Sequence, residues 1–118
     1  MPHNPVLADA RVAVVQNLRS LQPEISQAWT NLIYQKIPDP YGKLSHQDLS
    51  ISTLQGISAI LDALAGGNIR VIDTYIEILS KTRIQQDFSI QDITRALMLV
   101  RQVLISYIRK EMDDSSNI

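Results

Sequence analysis

The stretch from Phe88 to Met112 constrains the fold most, because it reads as a single long helix with more apolar residues than one face can use. Ser89, with Asp92 three residues on, has the spacing of a capping box, which satisfies the free N–H groups of a first helical turn. Ile90, Ile93, Leu97, Val100, Leu104 and Tyr107 then recur at three- and four-residue steps, and Leu99, Val103 and Ile108, with Ala96, widen the stripe. A helix of about 24 residues is about 36 Å long, against about 30 Å for the diameter of a small domain, so part of it should overhang. The reading that follows assigns Ile90 to Val100 to the core and Val103 to Met112 to a second partner. Leu99, Val103, Leu104, Tyr107 and Ile108 are the expected dimer contact and output lever, since an exposed apolar helix end is most simply covered by a second copy.

The chain ahead of this stretch breaks into four shorter helices. His3, Asn4 and Pro5 read as a leader, and a first helix carrying Leu7, Val14, Val15 and Leu18 on one side should fray near Ser20. Pro23 and Glu24 suit the first turn of a second helix, whose inner face is Ile25, Ala28, Trp29, Leu32, Ile33 and Ile37. Gln27, Thr30, Asn31, Gln35 and Lys36 fall on its outer face. Two prolines and a glycine make Pro38 to Lys43 a loop with no regular helix. Ser45 and Asp48 open a third helix with Leu49, Leu54, Ile57, Leu61 and Leu64 inward, and Ile51-Ser52-Thr53 is its expected weak point. Gly66-Gly67-Asn68 ends it, and a fourth helix turns Ile72, Tyr75, Ile76 and Leu79 inward. The expectation is one all-α, five-helix domain over 1–112, followed by a polar tail or linker start over 113–118.

Composition removes whole classes of function. With no cysteine among 118 residues there is no disulfide, thiolate metal site or catalytic thiol. Eleven basic side chains against twelve acidic ones leave a net charge of −1, so no bulk field draws nucleic acid or anionic membrane. The longest apolar run, Ala96 to Val100, is far short of the ~20 residues of a membrane span, and the first ten residues lack the pattern of a signal peptide. A cytoplasmic domain is therefore expected. His3 and His46 lie off the apolar faces, leaving no axial ligand for haem and no zinc set. Asp73 and Glu77 share a helical face with Arg70 and Lys81, a solvated charge ladder rather than an acid/base pair. No nucleophile elbow or phosphate-binding glycine loop occurs, so neither an enzyme nor a cofactor is expected. Trp29 and Tyr41 are the two candidate pocket residues, with core packing as the competing reading for each.

Taken together, the tryptophan inside a second helix, the Tyr41 loop followed by Leu44-Ser45-His46-Gln47-Asp48-Leu49, and Asp87-Phe88-Ser89-Ile90-Gln91-Asp92-Ile93 leading to Ala96-Leu97-Met98-Leu99-Val100-Arg101 resemble a known family. The order is similar to the N-terminal sensor domain of the RsbR/RsbRD family, the RsbT co-antagonists of bacterial stressosomes, related domains of which precede histidine kinases. The likeness spans Val6 to Met112. It implies a globin-like bundle without haem that homodimerises and passes a signal along its last helix to a STAS or kinase module. No such module lies within these residues, so the sequence reads as the front of a longer protein or as a stand-alone homologue. A stand-alone helical adaptor or a small-ligand-binding globin relative is the alternative.

Overall fold

The computed structural model describes residues 5–116, with side chains from 12 to 113. The elements are α1 (Pro5–Ser20), α2 (Gln22–Lys36), α3 (Pro38–Tyr41), α4 (His46–Leu64), α5 (Arg70–Gln85) and α6 (Ile90–Ser116), and all regular structure among the described residues is helical. That makes six helices where five were expected. The extra one is the single turn α3, inside the segment read as a loop, and Asp39 within it is extended at φ −122° and ψ 121°. His3, Asn4 and the Leu7 side chain lie outside what is described.

The chain segments form helices largely for the local reasons expected. Asp92 N–H donates to Ser89 Oγ at 3.1 Å and Ser89 N–H donates to Asp92 Oδ2 at 3.2 Å, both halves of the capping box. Ser45 Oγ likewise accepts from Asp48 N–H at 3.1 Å. Between α4 and α5, Gly66 turns left-handed at φ 95°, and Asn68 Oδ1 accepts from Arg70 N–H at 2.9 Å. Ile51-Ser52-Thr53 does not break α4, which runs unbroken for 19 residues.

Helix α2 is the centre of the bundle, packing against α1, α4 and α6. Ile25, Trp29, Ile33 and Ile37 are buried as its stripe requires, and they meet Leu18, Leu49, Ile57, Leu61, Ile93 and Ala96. Burial of a large aliphatic side chain is worth about 1.5–3 kcal/mol, so this seam supplies most of the cohesion. Thr30, placed outward by its period, is fully buried. It belongs to a hydroxyl cluster in which Thr53 Oγ1 lies 2.7 Å from Ser26 Oγ and 2.8 Å from Thr30 Oγ1, joining α2 to α4 through satisfied polar groups. Thr53 takes an inward position on α4, and Leu54 beside it is exposed, as is Leu64 at the helix's last residue, contrary to the expected stripe. On α5, Ile76 is exposed too, with Val71 and Ile78.

Helix α6 is divided differently from its expected core and overhang. Ile90, assigned to the core, is 72 % exposed, whereas Val103 and Leu104, assigned to a partner, are each 8 % exposed within the single chain. The cause is α1. Asn17 Nδ2 donates to Glu111 Oε2 at 2.9 Å, and the Tyr107 hydroxyl meets the Glu24 carboxylate, so α1 and the start of α2 run back along the far half of α6. The helix also continues through Ser116, four residues into the segment read as a tail.

Candidate functional site

The most unusual chemistry lies where α2, α4, α5 and the α5–α6 corner converge. Arg83, in the last turn of α5, is only 3 % exposed. The corner that buries it is a helix-ending motif. Phe88 N–H donates to Arg83 O at 2.9 Å, Asp87 N–H donates to Ile84 O at 3.0 Å, and Asp87 is left-handed at φ 67°. This pattern brings the second residue past the helix end back over its last turn. Here the Phe88 ring comes to lie 5.8 Å from the Arg83 Cζ, in range for a cation–π contact. Tyr41 from α3 closes the same spot, its ring edge-on to Phe88 at a centroid distance of 4.8 Å.

The guanidinium is held by neutral groups. Nη2 donates to Ser52 Oγ at 2.9 Å and Nη1 to Gln86 Oε1 at 3.0 Å, while the Tyr41 hydroxyl lies close enough to hydrogen-bond with it. Nε is buried with no partner. The ion pairs among the described residues are Arg19–Asp62, Lys43–Asp39 and Lys81–Glu77, so no carboxylate is paired with Arg83 there. A buried cation left without a counter-charge is costly, by several kcal/mol even after relaxation.

Two spaces border Arg83. A small cleft of about 10 Å³ is lined by Trp29, Tyr41, Ser52, Thr53, Tyr75 and Arg83, among others, so both candidate pocket residues border it. At that size it has room for about one water. Outside it, an open groove of about 570 Å³ runs between α4 and α5. Ser52, Tyr75, Leu79 and Arg83 line both. Tyr75 borders both spaces, and its hydroxyl donates to Ser52 O at 2.9 Å. Burial pushes the pKa of Tyr75 well up and raises that of Tyr41, against the lowering effect of Arg83 on both, so both hydroxyls stay protonated donors.

Gly56 sets how closely these pieces approach. A Cβ there would lie 2.7 Å from the Tyr75 hydroxyl oxygen and 2.8 Å from Trp29 Cζ3, so only a glycine lets α2 and α5 close on α4 from both sides. Trp29 in turn donates from Nε1 to Ala96 O at 2.9 Å, tying the site to α6. Sequence reasoning found Trp29 and Tyr41 and missed Arg83, Gly56 and Ser52. Arg83 sits at the position four beyond Leu79 on the inner stripe, and that spacing is the one signal that marked it.

Elsewhere the side chains are those of a solvated surface. His46 is exposed, with Gln27 Nε2 3.0 Å from its Nε2. Lys81 pairs with Glu77 at 3.1 Å, one rung of the expected ladder. Among the described residues no cluster of three or more acidic, histidine or cysteine side chains has the arrangement to hold a metal, and no helix is long and apolar enough to cross a membrane.

The class these features define is an all-α domain with a long final helix. By sequence the chain belongs to the RsbT co-antagonist protein rsbRD N-terminal domain family, whose model matches residues 23–117. The match begins in the first turn of α2 and takes in every element that builds the site. Domains of this family are stressosome-type signalling inputs and regulatory in role. No curated protein and no solved structure matches the chain.

Proposed function

We propose that this domain works as a homodimeric input module of a cytoplasmic signalling protein, with α6 as the output element toward a STAS or kinase module. The observation that carries the reading is the α5–α6 corner. Arg83, Phe88 and Tyr41 join the end of α5 to the start of α6, so a change at α5 bears directly on the helix that leads out of the bundle. A small tilt or shift of that helix is the kind of two-state motion by which packed helices transmit signals. A globin-like, haem-free arrangement remains part of this proposal, supported by the family and by the surface position of His46.

The proposed pairing surface differs from the set Leu99, Val103, Leu104, Tyr107 and Ile108 and keeps only Ile108 of it. Val103 and Leu104 are covered by the chain itself, and at about 100° per residue Leu99 and Ile108 fall on opposite edges of the buried stripe. One flank is both apolar and accessible: Met98, Ile105, Ile108 and Met112. Light scattering at tens of micromolar is expected to give a dimer, and Ile105→Glu a monomer of unchanged helicity. A wild-type monomer at that concentration removes the pairing part of the proposal. If the dimer persists in Ile105→Glu while a partner protein is lost, the adaptor reading takes its place.

A further inference from the structure

We infer that the groove between α4 and α5 is a binding site for a small organic monocarboxylate, with Arg83 as the residue that selects the anion. This goes beyond the pairing proposal and stands or falls separately from it.

Three observations converge. The first is charge: Arg83 is nearly fully buried, every group bonded to it is neutral, and Nε has no partner. One water in the adjoining 10 Å³ cleft would supply Nε with an acceptor and leave the charge unanswered. An anion answers both. The second is the setting. Beside Arg83 the hydroxyls of Ser52, Tyr75 and Thr82 give their protons to the backbone carbonyls of Asp48, Ser52 and Ile78, and the amide of Gln55 lies along the same groove, so the groove offers a carboxylate that amide and a single cation. One positive charge matches one negative charge, which favours a monocarboxylate over a phosphate dianion. The third is shape. Ala59, Val71, Ile78 and Leu79 wall the rest of the groove, whose volume of about 570 Å³ is within the range of about 300–1,000 Å³ usual for small-molecule sites. The acid lining the groove, Asp62, is held by Arg19 at 2.6 Å. The ligand class is therefore a molecule with an apolar body and one carboxylate.

The test is calorimetric titration of the purified chain with octanoate, octanol and octyl phosphate. Octanoate is expected to bind at one site, with octanol and octyl phosphate each about tenfold weaker or worse. Arg83→Met, which keeps the apolar stem and removes the charge, is expected to bind octanoate no better than octanol. Thr74→Trp leaves Arg83 in place and fills the mouth of the groove, and it is expected to weaken all binding while the free domain melts as the wild type does. In a heteronuclear spectrum the Arg83 Nε–H resonance is expected to shift with octanoate and not with octanol. Octanol binding as tightly as octanoate, octyl phosphate binding more tightly, an unmoved Nε–H resonance, or full octanoate affinity in Thr74→Trp overturns the inference.

Discussion

At the scale of single residues, the site depends on side chains whose identity reads as ordinary surface or spacer. Gly56 is the sharpest case, because two effects of an added methyl oppose each other. Gly56→Ala improves helix propensity by about 1 kcal/mol, while overpacking a closed core costs about 1–3 kcal/mol. Both contacts fall below 3.0 Å and both involve ring atoms held by hydrogen bonds, so overpacking wins. Denaturant unfolding is expected to give a net loss of up to about 2 kcal/mol, and pairing the change with Tyr75→Leu should recover part of it. A Gly56→Ala domain as stable as wild type would show that α5 sits further from α4. Tyr75 and Tyr41 make a second prediction through pH. Their folded pKa values are raised, by burial first, above the 10.0 of an unfolded tyrosine. The stabilisation is therefore complete below about pH 10 and is lost as pH rises further, since the unfolded chain sheds protons that the folded one keeps. Midpoints of urea unfolding should be flat on this account up to about pH 9 and fall above it, less steeply in Tyr75→Phe. Equal slopes would mean the Tyr75 hydroxyl meets water. The inward Tyr75 and the core reading of Tyr41 were legible beforehand, but a hydropathy pattern scores Thr30, Thr53 and Arg83 as surface and has no means of seeing which hydroxyls find one another.

Among the elements, helix ends were far more legible than helix faces. A cap is decided within four residues, and Ser45, Ser89 and Asn68 were each assigned from sequence to a helix end that they serve. A face is decided by what packs on it, and α5 shows how far that departs from periodicity. Its apolar stripe is as regular as that of α2, yet its one fully buried residue is Arg83, while Ile78 and Ile84 stand in solvent. Helix α5 leans mainly on α4, through Tyr75 and Arg83, and meets α6 only near the corner. Helices α2 and α4 bury five and six residues respectively. Local opening free energy follows such burial, so amide hydrogen exchange is expected to be fastest in the first turns of α5, slower toward Arg83, and slowest in α2 and α4. If octanoate seats in the groove, protection should rise in α5 before it rises anywhere else. Uniform protection across α2, α4 and α5 would remove α5 as the element that a ligand steadies.

For the whole molecule, the sequence correctly implied an all-α domain ending in a long helix, and it divided that helix by its ends where the packing divides it by its flanks. Helices α1 and α2 both pack on α6, where Val103 and Leu104 are buried, while Met98 and Met112 are exposed with Ile105 half-buried between them. Those three residues are seven apart, the repeat that keeps one seam facing a partner helix. Spacing alone permits parallel or antiparallel pairing, and only parallel pairing sends both copies of α6 out on the same side, as an output lever requires. The absence of cysteine from the chain makes the distinction clean, because each introduced thiol has only its copy in the partner to react with. A disulfide needs Cα atoms closer than about 7 Å. In a parallel dimer, Met98→Cys, Ile105→Cys and Met112→Cys should each cross-link to themselves under mild oxidation, with Leu99→Cys on the far edge failing to do so. In an antiparallel dimer centred on residue 105, only Ile105→Cys links to itself, and mixing Met98→Cys with Met112→Cys chains gives the cross-linked heterodimer. Non-reducing electrophoresis separates the two patterns, and the antiparallel one would leave the dimer intact while ending the role of α6 as a shared lever.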